Sequence, residues 1–210
     1  MKSKIIKSVK VAKKEGVVLN KIVKILILSD IVVLGATGFI NPIFAVFVND
    51  QIIGGSIGVA GIAAAIFLLV KSIFQIPIGR YVDEDKKDKN DFWFMIVGSL
   101  MIAVVPFMYI YSLYPWHVYV LQAIAGFGSA MAFPTWMALF TRHLDNTHEG
   151  YEWGIYDTLT GLSAGVAAVI GGLLADIYGF NFIFYLVGIT TIIGTAILFA
   201  AYKSFTTSKI

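Results

Sequence analysis

The stretch that decides the fold is residues 53–91, which read IGGSIGVAGIAAAIFLLVKSIFQIPI and then GRYVDEDKKDKND. The first part is almost entirely apolar or small and contains a single charge, Lys71. A helix needs ~20 apolar residues to cross ~30 Å of hydrocarbon, and this part is long enough. The second part is rich in charged residues, which are costly in hydrocarbon. The stretch therefore predicts a membrane-spanning helix that ends in a charged loop.

Five further apolar stretches of similar length fill most of the remaining chain. Overall, 58% of the residues are apolar and 14% are charged, whereas an average soluble domain has about 25% charged residues. These properties predict an all-α polytopic membrane protein, with six transmembrane helices in a domain of residues 22–202. The predicted spans are Ile22–Val48, Ile53–Ile78, Phe92–Ser112, Val118–Thr141, Gly154–Ala175 and Phe180–Tyr202.

The distribution of Lys and Arg predicts the orientation of these spans. One side has connections without Lys or Arg, namely Asn49–Ile52, Leu113–His117 and Asp176–Asn181. Apart from Lys71, the basic residues lie near the termini and in the connections on the other side. Because basic loops remain cytoplasmic, we expect both termini in the cytoplasm, in the inner membrane of a prokaryote. Residues 1–21 form a basic amphipathic segment suited to the anionic membrane surface, and residues 203–210 form a cytoplasmic tail.

Two motifs carry a resemblance to a known family. Gly79-Arg80-Tyr81-Val82-Asp83 resembles the Gly-x-x-x-Asp loop signature between spans two and three of the major facilitator superfamily of secondary transporters. The chain departs from that signature at Glu84, where the family has a basic residue, and at Lys86, where it has Gly. A longer run from Glu149 to Phe184, with GGLLADIYGF at its centre, looks like the fifth span of the family and its turn into the sixth.

The resemblance implies an assembly larger than one chain. Members of the family usually carry twelve spans in two six-span halves related by an axis along the membrane normal. This chain holds one half, and two identical copies can be related by a two-fold axis. We expect a parallel homodimer, and a heterodimer is the alternative. The initial Met and the polar tail favour a native half-size protein over a fragment of a longer one.

The resemblance also implies a function, which is secondary transport by symport or antiport with alternating access. We expect a small organic solute, sugar-like or amphiphilic, because the spans contain no Arg to hold an anion. The alternatives are a non-transporting membrane subunit or a channel along the dimer axis. The expected partners are a second copy, the lipid bilayer and the solute. The basic residues flank the membrane, so the net charge of +3 does not indicate nucleic acid.

Ionisable residues inside the spans are candidates for proton coupling. A charge in hydrocarbon costs at least ~2.5–3.5 kcal/mol and persists only with a partner, an aqueous cavity or a function. Asp30 and Lys71 lie at matching depth on consecutive spans, so a coupled pair is one hypothesis. A static ion pair or a snorkelling lysine is the alternative. Asp157 is the next candidate, although an acid near a helix start is also favoured by the helix dipole.

Polar and aromatic residues near mid-depth are candidates for contacts with the solute. The resemblance implies that spans one and four line the central cavity, and Asn41-Pro42 and Pro134 are expected to bend these two spans. For each single residue, packing between helices is an alternative. The predicted substrate-binding residues are Thr37, Asn41, Gln75, Gln122 and Trp136.

The resemblance assigns gating to Gly79 and Asp83, with Arg142 as a neighbour. Asp83 is expected to latch onto residues 153–156 of the other copy, at the start of its fifth span. Small residues let helices approach closely, so the glycine-rich faces of spans two and five predict the dimer interface. Packing within one protomer remains the alternative. The predicted interface residues are Gly58, Gly61, Gly161 and Gly165.

Catalysis is not expected. Gly161-Leu162-Ser163-Ala164-Gly165 has the spacing of a serine nucleophile elbow. A serine nucleophile needs a histidine base within hydrogen-bond reach, and none of the three His residues lies within the later spans. With no cysteine, there is no thiolate nucleophile or thiolate metal site. The sequence therefore predicts no enzyme activity, no metal and no cofactor.

Overall fold

The computed structural model describes residues 19–85, 88–145 and 147–202. Most of the predicted amphipathic segment 1–21 and the whole of the tail 203–210 lie outside these described residues. The described part is all-helical and contains no strand. This agrees with the predicted all-α class.

Six α-helices and a short 3-10 turn make up the described chain. Five of the helices are long and apolar enough to cross a membrane, and the short α2 is the exception. The helices are α1 Lys21–Ile40, α2 Phe44–Gln51, α3 Ile57–Asp85, α4 Asp88–Tyr109, α5 Pro115–Arg142 and α6 Glu149–Ile197, followed by the 3-10 turn Leu198–Ala201. Large apolar side chains such as Ile57, Ile73 and Ile76 are exposed along α3. A soluble protein does not present such a surface to water.

The helix α6 is two helical segments joined at Gly179. This residue has φ 78° and ψ 173°, a backbone conformation that glycine adopts without steric cost. In the first segment, Tyr156 and Ser163 contact α1 at Asp30 and Ile31, and Gly171 lies beside Phe39. This segment runs in the same direction as α1. The second segment runs in the opposite direction, because its end returns to the start of α1 through Ser29 and the Gly194 carbonyl.

The predicted first span is interrupted in the structure. The helix α1 ends at Ile40, and α2 begins only at Phe44. Pro42 lacks a backbone N–H and its ring clashes with the preceding turn, which disfavours a continuous helix at this point. The expected disturbance at Asn41-Pro42 is confirmed. Pro134, by contrast, lies inside the uninterrupted helix α5.

Close approach of backbones determines how α1 packs between the two segments of α6. A Cβ atom placed on Gly38 would lie 2.7 Å from the carbonyl oxygen of Ala164. One placed on Gly171 would lie 2.6 Å from the carbonyl oxygen of Phe39. Only glycine fits at such contacts, which bring helix axes close together. On the other side of the bundle, α5 packs against both α3 and α4.

Candidate functional site

Asp30 lies at the contact between α1 and the first segment of α6. The hydroxyl of Tyr156 donates a hydrogen bond of 3.0 Å to Oδ2 of Asp30. On either side of Asp30, hydroxyl groups also bind backbone carbonyls across the helices. Ser29 donates to Gly194 at 2.8 Å, and Ser163 donates to Ile31 at 2.8 Å. These bonds hold α1 against both segments of α6 and place Asp30 beside the aromatic residues of α6.

Four aromatic rings surround this contact. The Tyr156 ring centroid lies 4.6 Å from that of Trp136 on α5, and Trp136 stacks on Phe140 with centroids 4.7 Å apart. Trp153 packs with its edge toward Phe140 and Tyr156. Asp30, Trp136, Phe140, Trp153 and Tyr156 are called the Asp30 cluster from here on. The cluster joins α1, α5 and α6 and includes two of the predicted site residues, Asp30 and Trp136.

Two polar groups of the Asp30 cluster each lack a partner among the described residues. Asp30 lacks a cation, and Trp136 lacks a hydrogen-bond acceptor. No basic side chain among the described residues forms an ion pair with Asp30. The indole N–H of Trp136 is buried and has no acceptor among the described protein atoms. A buried polar group without a hydrogen bond costs about 1–3 kcal/mol, and an uncompensated charge costs more. These two groups therefore make the cluster energetically unfavourable, and helix packing alone does not account for their presence there.

Lys71 is not part of this cluster. Its ammonium group lies 4.5 Å from the ring centroid of Phe133 on α5, a cation–π geometry. Asp30 faces α6, whereas Lys71 faces α5, so the structure does not bring the two together. Their similar depth in the membrane does not determine the direction in which each side chain points.

A cleft of about 370 Å³ lies between α3 and α5 near their C-terminal ends. Gln75, Gly79 and Asp83 follow one another at intervals of four residues, so they share one face of α3. The cleft is lined by Gln75, Gly79, Asp83, Pro134, Met137, Ala138, Thr141 and Arg142. It thus unites one predicted substrate residue with all three predicted gating residues.

Arg142, at the end of α5, connects the end of α3 and the start of α4. Its guanidinium group binds the carboxylate of Asp91, which is buried, and lies 3.3 Å from Asp88. It also donates a hydrogen bond of 3.1 Å to the Val82 carbonyl. Arg142 therefore contacts acids at the start of α4, as well as lining the cleft beside Asp83. Asp91 was not among the predicted site residues.

The loop between α5 and α6 is held by short-range polar contacts. The side-chain and backbone donors of Thr147 bind the Asp145 carboxylate and lower its pKa below the usual range. The backbone N–H of Asp145 in turn donates to Glu152 at 3.1 Å, and Glu152 is buried. Glu152, in the first turn of α6, therefore lies directly behind the loop.

The other predicted site residues lie apart from the Asp30 cluster. Thr37 donates to the Leu34 carbonyl of its own helix at 2.9 Å, which is a local bond. Asn41 is exposed at the break after α1, and Gln122 is half-buried on α5. Asp157 is exposed on α6. Ser163 is bound to Ile31, in agreement with a structural role for the Gly-x-Ser-x-Gly run.

The predicted interface glycines face away from the protomer. A Cβ atom placed on Gly61, Gly161 or Gly165 would have no described atom within 4 Å. One placed on Gly58 would meet only the Ser56 hydroxyl, at 3.6 Å. Contacts inside the described protomer therefore do not explain these four glycines. Near the start of α6, the same surface has an open groove of about 450 Å³ lined by Gly150, Tyr151, Gly154, Ile155, Thr158 and Leu159.

Sequence reasoning missed Tyr156, Trp153 and Phe140 as members of the site. Trp153 and Tyr156 are three residues apart, so they share one face of α6. That spacing is a usable signal for an aromatic face. It does not reveal that the face meets Asp30 from α1 and Trp136 from α5.

Comparison with known proteins gives matches along nearly the whole helical domain. The family model of the Major Facilitator Superfamily matches residues 26–208. An uncharacterized MFS-type transporter of Methanocaldococcus jannaschii is 26% identical over 191 residues, which are 91% of this chain and 48% of the relative. The chain thus spans about half the length of this curated relative.

Proposed function

Since this chain belongs to the Major Facilitator Superfamily, we propose that it is one six-span half of a transporter that works as a parallel homodimer. Members of the family are integral membrane transporters and not enzymes. The proposed assembly moves a small organic solute, sugar-like or amphiphilic, by exposing a central cavity to alternate sides. Proton coupling through Asp30 is part of the proposal.

Two observations support six crossings by one chain. The five long apolar helices supply five candidates, and the reversal at Gly179 divides the last one into two. At ~1.5 Å per residue, an unbroken helix of 49 residues would be more than twice the ~30 Å of the hydrocarbon layer. With six crossings and the observed bias of Lys and Arg, both termini lie in the cytoplasm. The archaeal relative is in keeping with the inner membrane of a prokaryote.

The outward glycines and the usual two-half assembly of the family support the homodimer. The chain covers about half of its relative, so a second six-span half is needed to complete the family's usual assembly. The outward faces of α3 and α6 carry small residues with open space before them. A two-fold axis along the membrane normal places α3 of one copy against α6 of the other, twice. Both contacts then bury the glycine faces, which favours close helix packing.

Asp83 is proposed as a cytoplasmic latch in this dimer. It is exposed at the mouth of the cleft between α3 and α5. The start of α6 in the other copy is the positive end of its helix dipole, which favours a nearby negative charge by ~0.3–1 kcal/mol. Contact between Asp83 and that helix start would hold the cytoplasmic side closed. Arg142, bound to Asp91 and Asp88, would keep the ends of α3, α4 and α5 together during the movement.

The single observation that carries the coupling proposal is the environment of Asp30. Its carboxylate lies in an apolar span, and its hydrogen bond comes from a neutral donor, Tyr156. Ionisable residues within membrane spans commonly mark substrate or proton pathways. Binding a proton would neutralise Asp30 without any movement of a protein cation toward it.

The test is transport by the purified protein in vesicles. With a transported solute in hand, Asp30→Asn should abolish accumulation driven by a proton gradient, because the amide cannot ionise. Exchange of labelled solute between the two sides should persist, since exchange needs reorientation of the cavity but no net proton movement. Full accumulation by this variant would assign Asp30 to structure and make Asp157 the next candidate. Absence of any solute flux would favour a non-transporting subunit, and flux of ions without saturation would favour a channel.

A further inference from the structure

We infer that the Asp30 cluster selects an organic cation, a solute with an ammonium group beside a flat apolar body. The inference rests on the proposed transport function and narrows its substrate class from sugar-like or amphiphilic solutes to cationic amphiphiles. It is carried by the juxtaposition, on three helices, of one carboxylate and four aromatic rings.

The carboxylate needs a positive charge that the described chain does not supply. Tyr156 gives Asp30 a hydrogen bond but no charge. Lys71, deep in α3, does not supply it, because its ammonium group lies over the ring of Phe133 on α5. An acid in a membrane span is stable when it is paired, protonated or next to a bound cation. A neutral sugar would leave the ionised acid without a counter-charge, and an anion would be repelled.

The aromatic rings favour the same ligand. The faces of Trp and Tyr rings attract cations through their quadrupole, most strongly when water is excluded. Tyr156 links the carboxylate to the aromatic rings, because its hydroxyl binds Asp30 and its ring packs on Trp136 with centroids 4.6 Å apart. A cation bound to Asp30 therefore lies next to an aromatic ring, and its apolar body meets further rings.

Burial indicates the side from which the ligand enters. Trp136 and Phe140 are buried and form the floor of the cluster. Asp30, Trp153 and Tyr156 are only half-buried. The exposed parts of the cluster therefore belong to α1 and α6, and the proposed ligand approaches the acid from this side, with the rings of α5 behind it.

The experiment compares probes that share a shape and differ in charge. Binding to the purified full chain is measured by calorimetry and by the shift in unfolding temperature. The probes are phenyltrimethylammonium, its neutral isostere tert-butylbenzene, and the anion benzenesulfonate. We expect the cation to bind at least about tenfold more tightly than the isostere, because only the cation gains from the acid and the rings. Benzenesulfonate should not bind.

Variants locate the site. Asp30→Asn should weaken phenyltrimethylammonium binding by about tenfold or more, while Asp50→Asn, at an exposed acid outside the cluster, should leave it unchanged. Tyr156→Leu removes a ring and should weaken binding several-fold more than Tyr156→Phe, which keeps it. Circular dichroism of each variant shows that the helices are intact. If Asp30→Asn does not fold, the three probes still decide the matter on the unaltered chain.

Equal binding of the cation and its neutral isostere would overturn the inference, and so would full cation affinity in folded Asp30→Asn. The two proposals fail in different ways. Vesicle uptake of a neutral sugar by a chain that does not bind the cation would keep transport and reject the cation site. Selective cation binding without uptake of any solute would keep the site and reject transport.

Discussion

Gly171 and Gly172 are adjacent in α6 and lie in opposite surroundings. A side chain on Gly171 would collide with the backbone of α1 at Phe39, whereas one on Gly172 would meet no described atom within 4 Å. The same contrast separates the inward glycines Gly38 and Gly171 from the outward glycines Gly161 and Gly165. A glycine-rich helix can therefore carry two small-residue faces, one for the protomer and one for a partner.

The largest loss of protomer stability is expected from a bulky side chain on the inward face. Gly171→Leu should destabilise the protomer by ~3 kcal/mol or more, because α1 and α6 must move apart to admit the side chain. Gly172→Leu should change the stability of the protomer by less than ~0.5 kcal/mol. Unfolding temperature and recovery of the purified protein in mild detergent measure both. Similar loss in the two variants would remove the distinction between the faces.

The next prediction compares Arg142, which binds a buried acid, with Arg80, an exposed residue of the same type. Arg142→Met should cost roughly 3 kcal/mol, because it removes a cation that binds the buried carboxylate of Asp91. Arg80→Met is the control, since Arg80 is exposed on α3 and should be nearly neutral. Denaturation of both variants at one pH gives the difference. A neutral Arg142→Met would show that Asp91 is satisfied in another way.

A bulky side chain on the outward face is expected to have a moderate effect, which falls on dimer assembly and not on the stability of the protomer. Gly165→Leu should leave the unfolding of the protomer unchanged but weaken the dimer about tenfold or more, because the side chain keeps the two helices apart. Dilution experiments that follow the mass of the complex measure the dissociation constant. Loss of protomer stability without any change in assembly would place this face inside the protomer.

The smallest effect concerns one hydrogen bond of the inward contact. Ser163→Ala removes the donor to the Ile31 carbonyl and should cost about 1 kcal/mol. Ser72→Ala, at an exposed position on α3, is the matched control and should cost less than half of that. Parallel thermal unfolding of the two variants gives the comparison. Equal values would mean that the Ser163 bond contributes nothing net.

The apolar spanning helices were predictable from the sequence because their length and composition are set by the membrane, and five of the described helices are long and apolar enough to cross it. The break at Asn41-Pro42 followed from the missing N–H of proline, and the turn between the last two predicted spans coincides with the Gly179 reversal. Gln75, Gly79 and Asp83 share one face of α3 because they follow one another at intervals of four residues. These features depend on local chemistry alone.

The composition of the Asp30 cluster could not be predicted, because it depends on how each helix is rotated about its axis. Depth suggested that Asp30 and Lys71 would meet, yet each faces a different neighbour. The rotation of α1 is set by the close contacts of Gly35 and Gly38 with α6. Those contacts turn Asp30 toward Tyr156. The sequence contained both small-residue faces but did not distinguish the inward from the outward one.

Cysteine cross-linking in native membranes tests the proposed homodimer most directly, because the chain contains no cysteine of its own. Gly61→Cys and Gly165→Cys are introduced together, one on each outward face, and the membranes are treated with thiol-specific cross-linkers of graded length. The homodimer predicts a product of two chains from the double variant, linked from α3 to α6, and none from the control variant Gly61→Cys alone. A chain that transports solute and yields only the monomer with every cross-linker would contradict it.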